Sequence, residues 1–210
     1  MGMSLLLAAC GGAKPRPKTV SSGVLRSAAR NTLAQTEKVT LVGTINLGSV
    51  TLSLDGTGAF APVRRAEIHA QVTLPVLGKA PFDEVYVGGV AWVRSPVLQN
   101  GDHWVRASQA PTLGLGLFPF EHPTDLIGRL GASGKPAVLG TGTVGGVKTT
   151  HYLTQIGKYP AEAWVDGQNH VREVKVKINA TTGNQKVKVA LTMMLSDFGT
   201  PVTVTSPVKS

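Results

Sequence analysis

The chain has 210 residues, enough for one domain with a sizeable core and cramped for two. Hydrophobic residues make up 42% and charged residues 16%, which excludes a disordered or collagen-like chain, and with only 5% aromatics the core must be filled mainly by Val, Leu, Ala and Gly. The formal net charge of +9 is scattered from Lys14 to Lys209 with no recognition helix, zinc-finger spacing or stacking platform, which argues against nucleic acid and leaves solubility or attraction to anionic headgroups.

At the N-terminus, Leu5, Leu6, Leu7, Ala8 and Ala9 form an apolar run that stops at Cys10, Gly11 and Gly12, too short to cross a bilayer. Leu7-Ala8-Ala9-Cys10 resembles a bacterial lipobox, in which the cysteine sulfur receives a diacylglycerol with acyl chains such as palmitate, and the preceding peptide is removed. Residues 1–9 therefore read as a truncated signal peptide, lacking positive charge before Leu5, and Cys10 as a lipid anchor holding the chain on the extracytoplasmic face of the cell membrane. Two or more acyl chains attach durably where one binds only marginally. As the single cysteine, Cys10 also excludes an internal disulfide. Residues 10–22, with Pro15, Pro17 and the basic Lys14, Arg16 and Lys18, read as a flexible stalk, and residues 23–210 as one β-rich domain.

From Ser22 to Glu37 the residues Val24, Leu25, Ala28, Ala29 and Leu33 recur at spacings of three and four, which predicts an amphipathic helix capped by Ser21 or Ser22. The period then falls to two. Val39, Leu41 and Ile45, then Val50, Leu52 and Leu54, alternate with polar residues, and from Arg65 to Leu74 the residues Ala66, Ile68, Ala70, Val72 and Leu74 oppose Glu67, His69, Gln71 and Thr73. Asp83 to Arg94 reads as a further strand with Val85, Val87, Ala91 and Val93 on it and a kink at Gly88-Gly89. A short piece follows around Trp104 to Arg106.

Pro111 to Phe120 interleaves Leu113, Leu115, Leu117, Phe118 and Phe120 with Gly114, Gly116 and Pro119, an apolar and flexible loop before a helix over His122 to Leu130. Strands resume from Ala137 to Val144, Val147 to Ile156, Ala161 to Asp166, Val171 to Ile178 and Lys186 to Ser196, with turns at Asp166-Gly167-Gln168-Asn169 and Gly183-Asn184. About nine strands and two helices give an α+β fold: a strongly curved antiparallel β-sheet wrapped on helices.

Several patterns carry no chemistry. Gly140-Thr141-Gly142-Thr143-Val144-Gly145 matches a dinucleotide-binding pattern, with Glu162 at the distance of a ribose contact. The residues after it are β-like, however, and a pyrophosphate needs a helix opening there, so a glycine-rich hairpin is expected and no cofactor. His69, His103, His122, His151 and His170 form no metal-ligand spacing, and no nucleophile stands with a positioned base, so neither a metal site nor an enzyme is indicated. Asp83 and Glu84 point to opposite faces of a strand and read as solvated. Asn179-Ala180-Thr181 fits a glycosylation acceptor by chance. Lys175, Lys177, Lys186 and Lys188 come together across one hairpin as an edge-protecting solvated face, or as a contact for anionic headgroups.

With these residues placed, the chain resembles actinobacterial lipoproteins of the LppX/LprG type, which are similar in fold to the LolA carrier. The resemblance rests on Leu7-Ala8-Ala9-Cys10-Gly11, Val87-Gly88-Gly89-Val90-Ala91-Trp92-Val93-Arg94, Val144-Gly145-Gly146-Val147 leading to His151-Tyr152, Trp164-Val165-Asp166, and Leu195-Ser196-Asp197-Phe198-Gly199-Thr200-Pro201. It implies a half-open barrel with helices over its concave face, enclosing an apolar cavity for acylated lipids or glycolipids, and carriage of lipid through the cell envelope, alongside a transporter. The implied lining is Leu33, Ile68, Val72, Leu74, Val85 and Val87, with Leu126, Ile127 and Leu130 from the central helix, and Leu115, Leu117, Phe118 and Phe120 as a mobile lip. Alkyl chains need only an apolar space of the right shape, at about 0.8 kcal/mol per buried CH₂, so the absence of catalytic motifs fits. The same residues equally fit a close-packed core in an interaction or sensor module of the envelope, and the sequence leaves both open.

Overall fold

Period-two alternation along most of the chain becomes one large sheet. A computed structural model describes residues 17–47, 50–62, 65–74, 76, 78–97, 102–108, 123–182 and 185–208. Strand β1 (Lys18–Thr19) precedes helix α1 (Gly23–Leu33), and a meander follows: β2 (Glu37–Leu47), β3 (Val50–Ala61), β4 (Arg65–Leu74), β5 (Gly78–Val87), β6 (Val90–Arg94) and β7 (Val105–Arg106). Helix α2 (Pro123–Gly128) leads to a second meander, β8 (Ser133–Val144), β9 (Val147–Ile156), β10 (Tyr159–Asp166), β11 (Val171–Thr182) and β12 (Gln185–Ser196). The last strand pairs antiparallel with β2 and joins the two meanders, so the order across the sheet is β1-β8-β9-β10-β11-β12-β2-β3-β4-β5-β6-β7. Among the described residues the sheet does not close, and β1 and β7 are its two edges.

One face of this sheet, here called inner, carries the core. Cross-strand partners share a face, so the row Glu37, Phe60, Ala66, Tyr86 and Ala91 and the row Val39, Gly58, Ile68, Glu84 and Val93 both look inward. From the other meander come Ala163, Val174, Met193 and Leu41 in one row and Ala161, Val176 and Leu191 in another. Of these, Val39, Leu41, Phe60, Ala66, Ile68, Ala161, Ala163, Val174, Val176, Leu191 and Met193 form a single cluster with Leu25, Ala28 and Ala29 of α1 and Leu126, Ile127 and Leu130 in and after α2. Burying this apolar surface is the main favourable contribution to folding.

Helix α1 is shorter than its periodicity predicts. It ends at Leu33 with Ala34 as its C-cap, and Glu37, expected at the helix end, opens β2 instead. Its N-cap Ser22 makes no side-chain capping bond; the Gly23 amide donates to Ser21 Oγ at 3.2 Å. Polar side chains seat the helix on the β10–β11 turn: the Val171 amide donates to Thr32 Oγ1 at 2.8 Å, and Asn31 Nδ2 donates to the carbonyls of Gln168 and Asn169. In that turn Asp166 accepts the amides of Gln168 and His170 and the Arg172 Nε–H, while Asn169 adopts φ 65°. At its other end α1 meets the turn after α2 at Gly131, where φ is +71° and an added Cβ would lie 2.6 Å from the Ser22 carbonyl. Only glycine fits that approach.

Two expectations about turns are settled by backbone geometry. The glycine-rich stretch at 140–145 is a hairpin, with Val144 paired to Val147 across Gly145 and Gly146, both at positive φ. Gly88-Gly89 is likewise no kink in a continuous strand but a two-residue turn, with φ of 62° and 87°, that folds β6 back on β5.

Candidate functional site

The inner face differs between its two halves. Under α1 and α2 it is filled by the protein's own side chains: Leu25, Ala28, Ile127, Leu130, Ala163, Val171 and Met193 are all completely buried. Over β3 to β6 the inner face forms a shelf that mixes the small Gly56, Gly58, Ala66, Ala70, Ala80 and Ala91 with the larger Phe60, Ile68, Phe82, Glu84, Tyr86 and Val93, and Phe60, Ala66, Ile68 and Ala70 belong to the main buried cluster. The glycines suit a tight sheet, since a Cβ on Gly58 would lie 2.9 Å from Val39 Cγ1 and one on Gly56 2.8 Å from Ala70 Cβ. Phe82 and Tyr86, on the same side of β5, are only partly buried and pack at the edge of the core.

Of the expected lining, Ile68 lies on this shelf and is buried, and Leu126, Ile127 and Leu130 come together in the packed half. By register Val72 and Leu74 continue the shelf opposite Ala80 and Gly78, although their side chains fall outside the described residues. Val85 and Val87 do not belong with them. They register with Glu67 and Arg65 on the outer face, opposite to Ile68, and the inward residues of β5 are Ala80, Phe82, Glu84 and Tyr86. The reason is the Gly88-Gly89 turn: Val87 pairs with Val90, so Ala91 and Val93 share a face with Tyr86 and Glu84 rather than with Val85 and Val87. Val85 is nonetheless buried, across from Trp92, outside the main cluster. Leu115, Leu117, Phe118, Phe120 and the anchor Cys10 lie outside the described residues.

Two carboxyl groups enter the inner face where none was expected. Glu37 is fully buried, neither of its carboxylate oxygens has a partner among the described residues, and burial pushes its pKa up to about 8. Glu84, read from the sequence as solvated, shares the row of Ile68 and Val93, and burial pushes it up to about 7. Its neighbour Asp83 behaves oppositely on the outer face. Burial alone would raise Asp83, but hydrogen bonds from His69 at 2.8 Å and Arg94 at 2.6 Å outweigh it and hold the carboxyl below its usual range. The same Asp83 bond, with Glu67 on the other ring nitrogen, raises the pKa of His69.

Leu33, partly buried against the core cluster, also lines an open cleft between α1 and α2. The cleft has a volume of about 400 Å³ and is lined by Gly23, Arg26, Ala29, Arg30, Leu33 and Gly128. Periodicity showed the apolar stripe of α1 but not that Arg26 and Arg30, one turn apart, border a cleft.

The four lysines do share the outer face of the β11–β12 hairpin, yet none faces another directly: Lys175 is opposite Thr192, Lys177 opposite Ala190, Lys186 opposite Thr181 and Lys188 opposite Asn179. Lys175 is committed to Glu173 at 2.9 Å and lies over the Trp164 ring, which stacks on His151 at 4.1 Å. Glu162 accepts from His151 Nε2 at 2.8 Å, which is a structural role rather than a ribose contact. Among the described residues no group of three or more His, Cys, Asp or Glu side chains could hold a metal ion, and no helix is long and apolar enough to cross a membrane.

No protein-family model matches the chain, and no curated protein matches it. Solved structures do. LprF from Mycobacterium bovis, of the LppX/LprG type that the sequence resembles, aligns over 90% of this chain and 97% of its own at 16% identity and a TM-score of 0.47. A LolA superfamily protein from Nitrosomonas europaea aligns over 88% of this chain and 95% of its own at 10% identity and 0.36. A putative outer membrane lipoprotein-sorting protein domain from Vibrio parahaemolyticus aligns over 87% and 94% at 11% and 0.34.

Proposed function

We propose that this chain is an envelope lipoprotein, tethered through Cys10 to the outer face of the cell membrane, that binds acyl chains of lipid or glycolipid on the inner face of a half-open, curved sheet and carries them within the envelope. The observation that supports it is the contrast between the two halves of that face. The helix-covered half is filled with completely buried side chains, whereas toward β5 and β6 the inner residues Phe82, Tyr86 and Ala91 are only partly buried. An apolar surface of this kind suits a methylene chain, which needs contact area and no directional bonds. The role is non-enzymatic. Protein prepared from its native host without the anchor is expected to bring down acyl lipid, read by native mass spectrometry; a lipid-free spectrum from protein never exposed to detergent would overturn the proposal.

The packed half favours a second reading, an envelope interaction or sensor module with a dry core. Ile127 and Leu130, which the lipid reading placed in the cavity wall, are completely buried in the cluster that includes Leu25 and Ala28. That alternative predicts no bound lipid and a protein partner whose capture is lost on charge reversal at Lys175 and Lys188.

A further inference from the structure

We infer that the cleft between α1 and α2 is a binding site for the phosphodiester headgroup of an anionic phospholipid, with Arg26 and Arg30 as its anion clamp and Ala29 and Leu33 as the seat for the first methylenes below it. Four observations carry this. The two guanidinium groups stand one helical turn apart on the rim of the same cleft, and neither meets a carboxylate among the described residues; the one bond recorded for them is from Arg26 Nη2 to Ser22 Oγ at 3.2 Å. No acidic side chain among the described residues lines the cleft, and α1 has none in its first turn. The walls below the arginines are apolar, with Ala29 buried and Leu33 half-buried, and the two glycines, Gly23 and Gly128, hold the space open. Its volume of about 400 Å³ lies in the range of small-ligand sites.

Charge and position favour a membrane lipid as the source of the phosphate. Guanidinium groups bind phosphate oxygens in pairs, and a chain of net charge +9 is drawn to an anionic surface. Helix α1 is the first helix after the expected tether, preceded only by the edge strand β1, so the cleft is close to the tether in sequence. The inference rests on the tethered, lipid-handling reading above, and adds to it a contact that would turn the α1–α2 end of the domain toward the bilayer.

The test uses the full chain carrying Cys10→Ser, so that no anchor contributes, floated with vesicles of phosphatidylcholine alone or of phosphatidylcholine with phosphatidylglycerol. Binding is expected only with phosphatidylglycerol. Removing both arginines, Arg26→Gln with Arg30→Gln, should weaken partitioning roughly thirtyfold. Gly128→Leu, which places apolar bulk in the cleft at unchanged charge, should reproduce the loss, with an unchanged thermal midpoint as the check that the fold is kept; an added Cβ there meets only Leu33 Cδ1, at 3.7 Å, an ordinary contact. Lys175→Gln with Lys188→Gln removes the same charge from the outer face and should leave partitioning nearly unchanged. The inference is overturned if Gly128→Leu binds like the parent, if the lysine pair loses as much as the arginine pair, or if inorganic phosphate at matched ionic strength displaces the protein from vesicles, which would make free phosphate the ligand. Acyl lipid carried by the parent chain, read by mass spectrometry, separates the two readings: lipid present with arginine-independent flotation sinks the cleft alone, and lipid absent sinks the carrier reading.

Discussion

The unpartnered Glu37 makes a quantitative prediction about pH. Its carboxyl is fully buried on the inner face beside Phe60, and folding moves its pKa from the ordinary 4.5 to about 8. Because the raised value belongs to the folded state, the native chain holds a proton that the unfolded chain has released at every pH between the two. Stability is therefore fully present below about pH 4.5, falls as pH rises through that window, and levels off above about pH 8. Each pH unit inside the window corresponds to about 1.4 kcal/mol, so the total loss is about 5 kcal/mol, of which about 3 kcal/mol is already gone at neutral pH. Glu84, raised to about 7 by the same cause, adds a smaller loss of the same sign.

Glu37→Gln keeps the shape and the polarity and removes the titration. Urea unfolding followed by fluorescence of Trp92, Trp104 and Trp164, repeated from about pH 4 to about pH 9, should give a variant close to the parent at the acid end and more stable by several kcal/mol at the alkaline end. Adding Glu84→Gln should flatten the remaining slope. Parallel profiles for parent and Glu37→Gln across the range would refute the reasoning, because they would mean that the carboxyl titrates in the folded chain as it does in the unfolded one.

Four further outcomes are expected. Gly131→Ala should lose about 2–4 kcal/mol in chemical denaturation, since it adds a Cβ 2.6 Å from the Ser22 carbonyl at φ +71°. Ile127→Ala should lose about 2–5 kcal/mol, the range for truncating a fully packed side chain; a loss near zero would mean that Ile127 faces open space. Asp166→Asn should lose about 2 kcal/mol at neutral pH, measured by urea unfolding, by weakening the acceptor for two turn amides and for Arg172, and the gap should close as pH falls through the lowered pKa of Asp166, where burial is outweighed by those bonds. Ala70→Trp, at a buried position opposite Gly56 and Phe82, should cost about 1–3 kcal/mol through overpacking and abolish co-extracted acyl lipid; lipid retained by the variant would show that no acyl chain lies over that position.

How much of this was legible beforehand follows from the kind of signal each feature leaves. Strand β4 was readable residue by residue because Ala66, Ile68 and Ala70 alternate strictly with Glu67, His69 and Gln71, a one-sided pattern that permits a single orientation. The 145–146 hairpin was readable because the dipeptide Gly-Gly between β-like runs has a definite turn geometry. Strand β5 was not. Apolar residues occupy both of its faces, Ala80, Phe82 and Tyr86 on one and Val85 and Val87 on the other, and its two acidic residues do not break the tie, since Asp83 lies on the outer face and Glu84 on the inner one. Counting through Gly88-Gly89 as though the strand were continuous then carried the wrong parity from Ala91 and Val93 back to Val85 and Val87. A two-residue turn pairs residue 87 with 90, an odd position with an even one, so parity must be reversed at each such hairpin before faces are compared.

The site residues that escaped notice share a physical cause. Glu37 and Glu84 are charged residue types in positions where burial is expensive, so any pattern that assigns faces by polarity places them outside. Arg26 and Arg30 were visible as the wet side of an amphipathic helix, but a cleft exists only where a second element comes alongside, and α2 lies about a hundred residues further on. What brings them together is local and specific: Gly131 lets the turn after α2 press on the first turn of α1, close enough that its missing Cβ decides the fit. The lipid question therefore divides along the sheet. Where helices and strands meet through such contacts the interior is closed by the protein itself, and on the proposed reading an acyl chain would lie over the partly buried Phe82 and Tyr86 of β5 or in the cleft that the two helices leave between them.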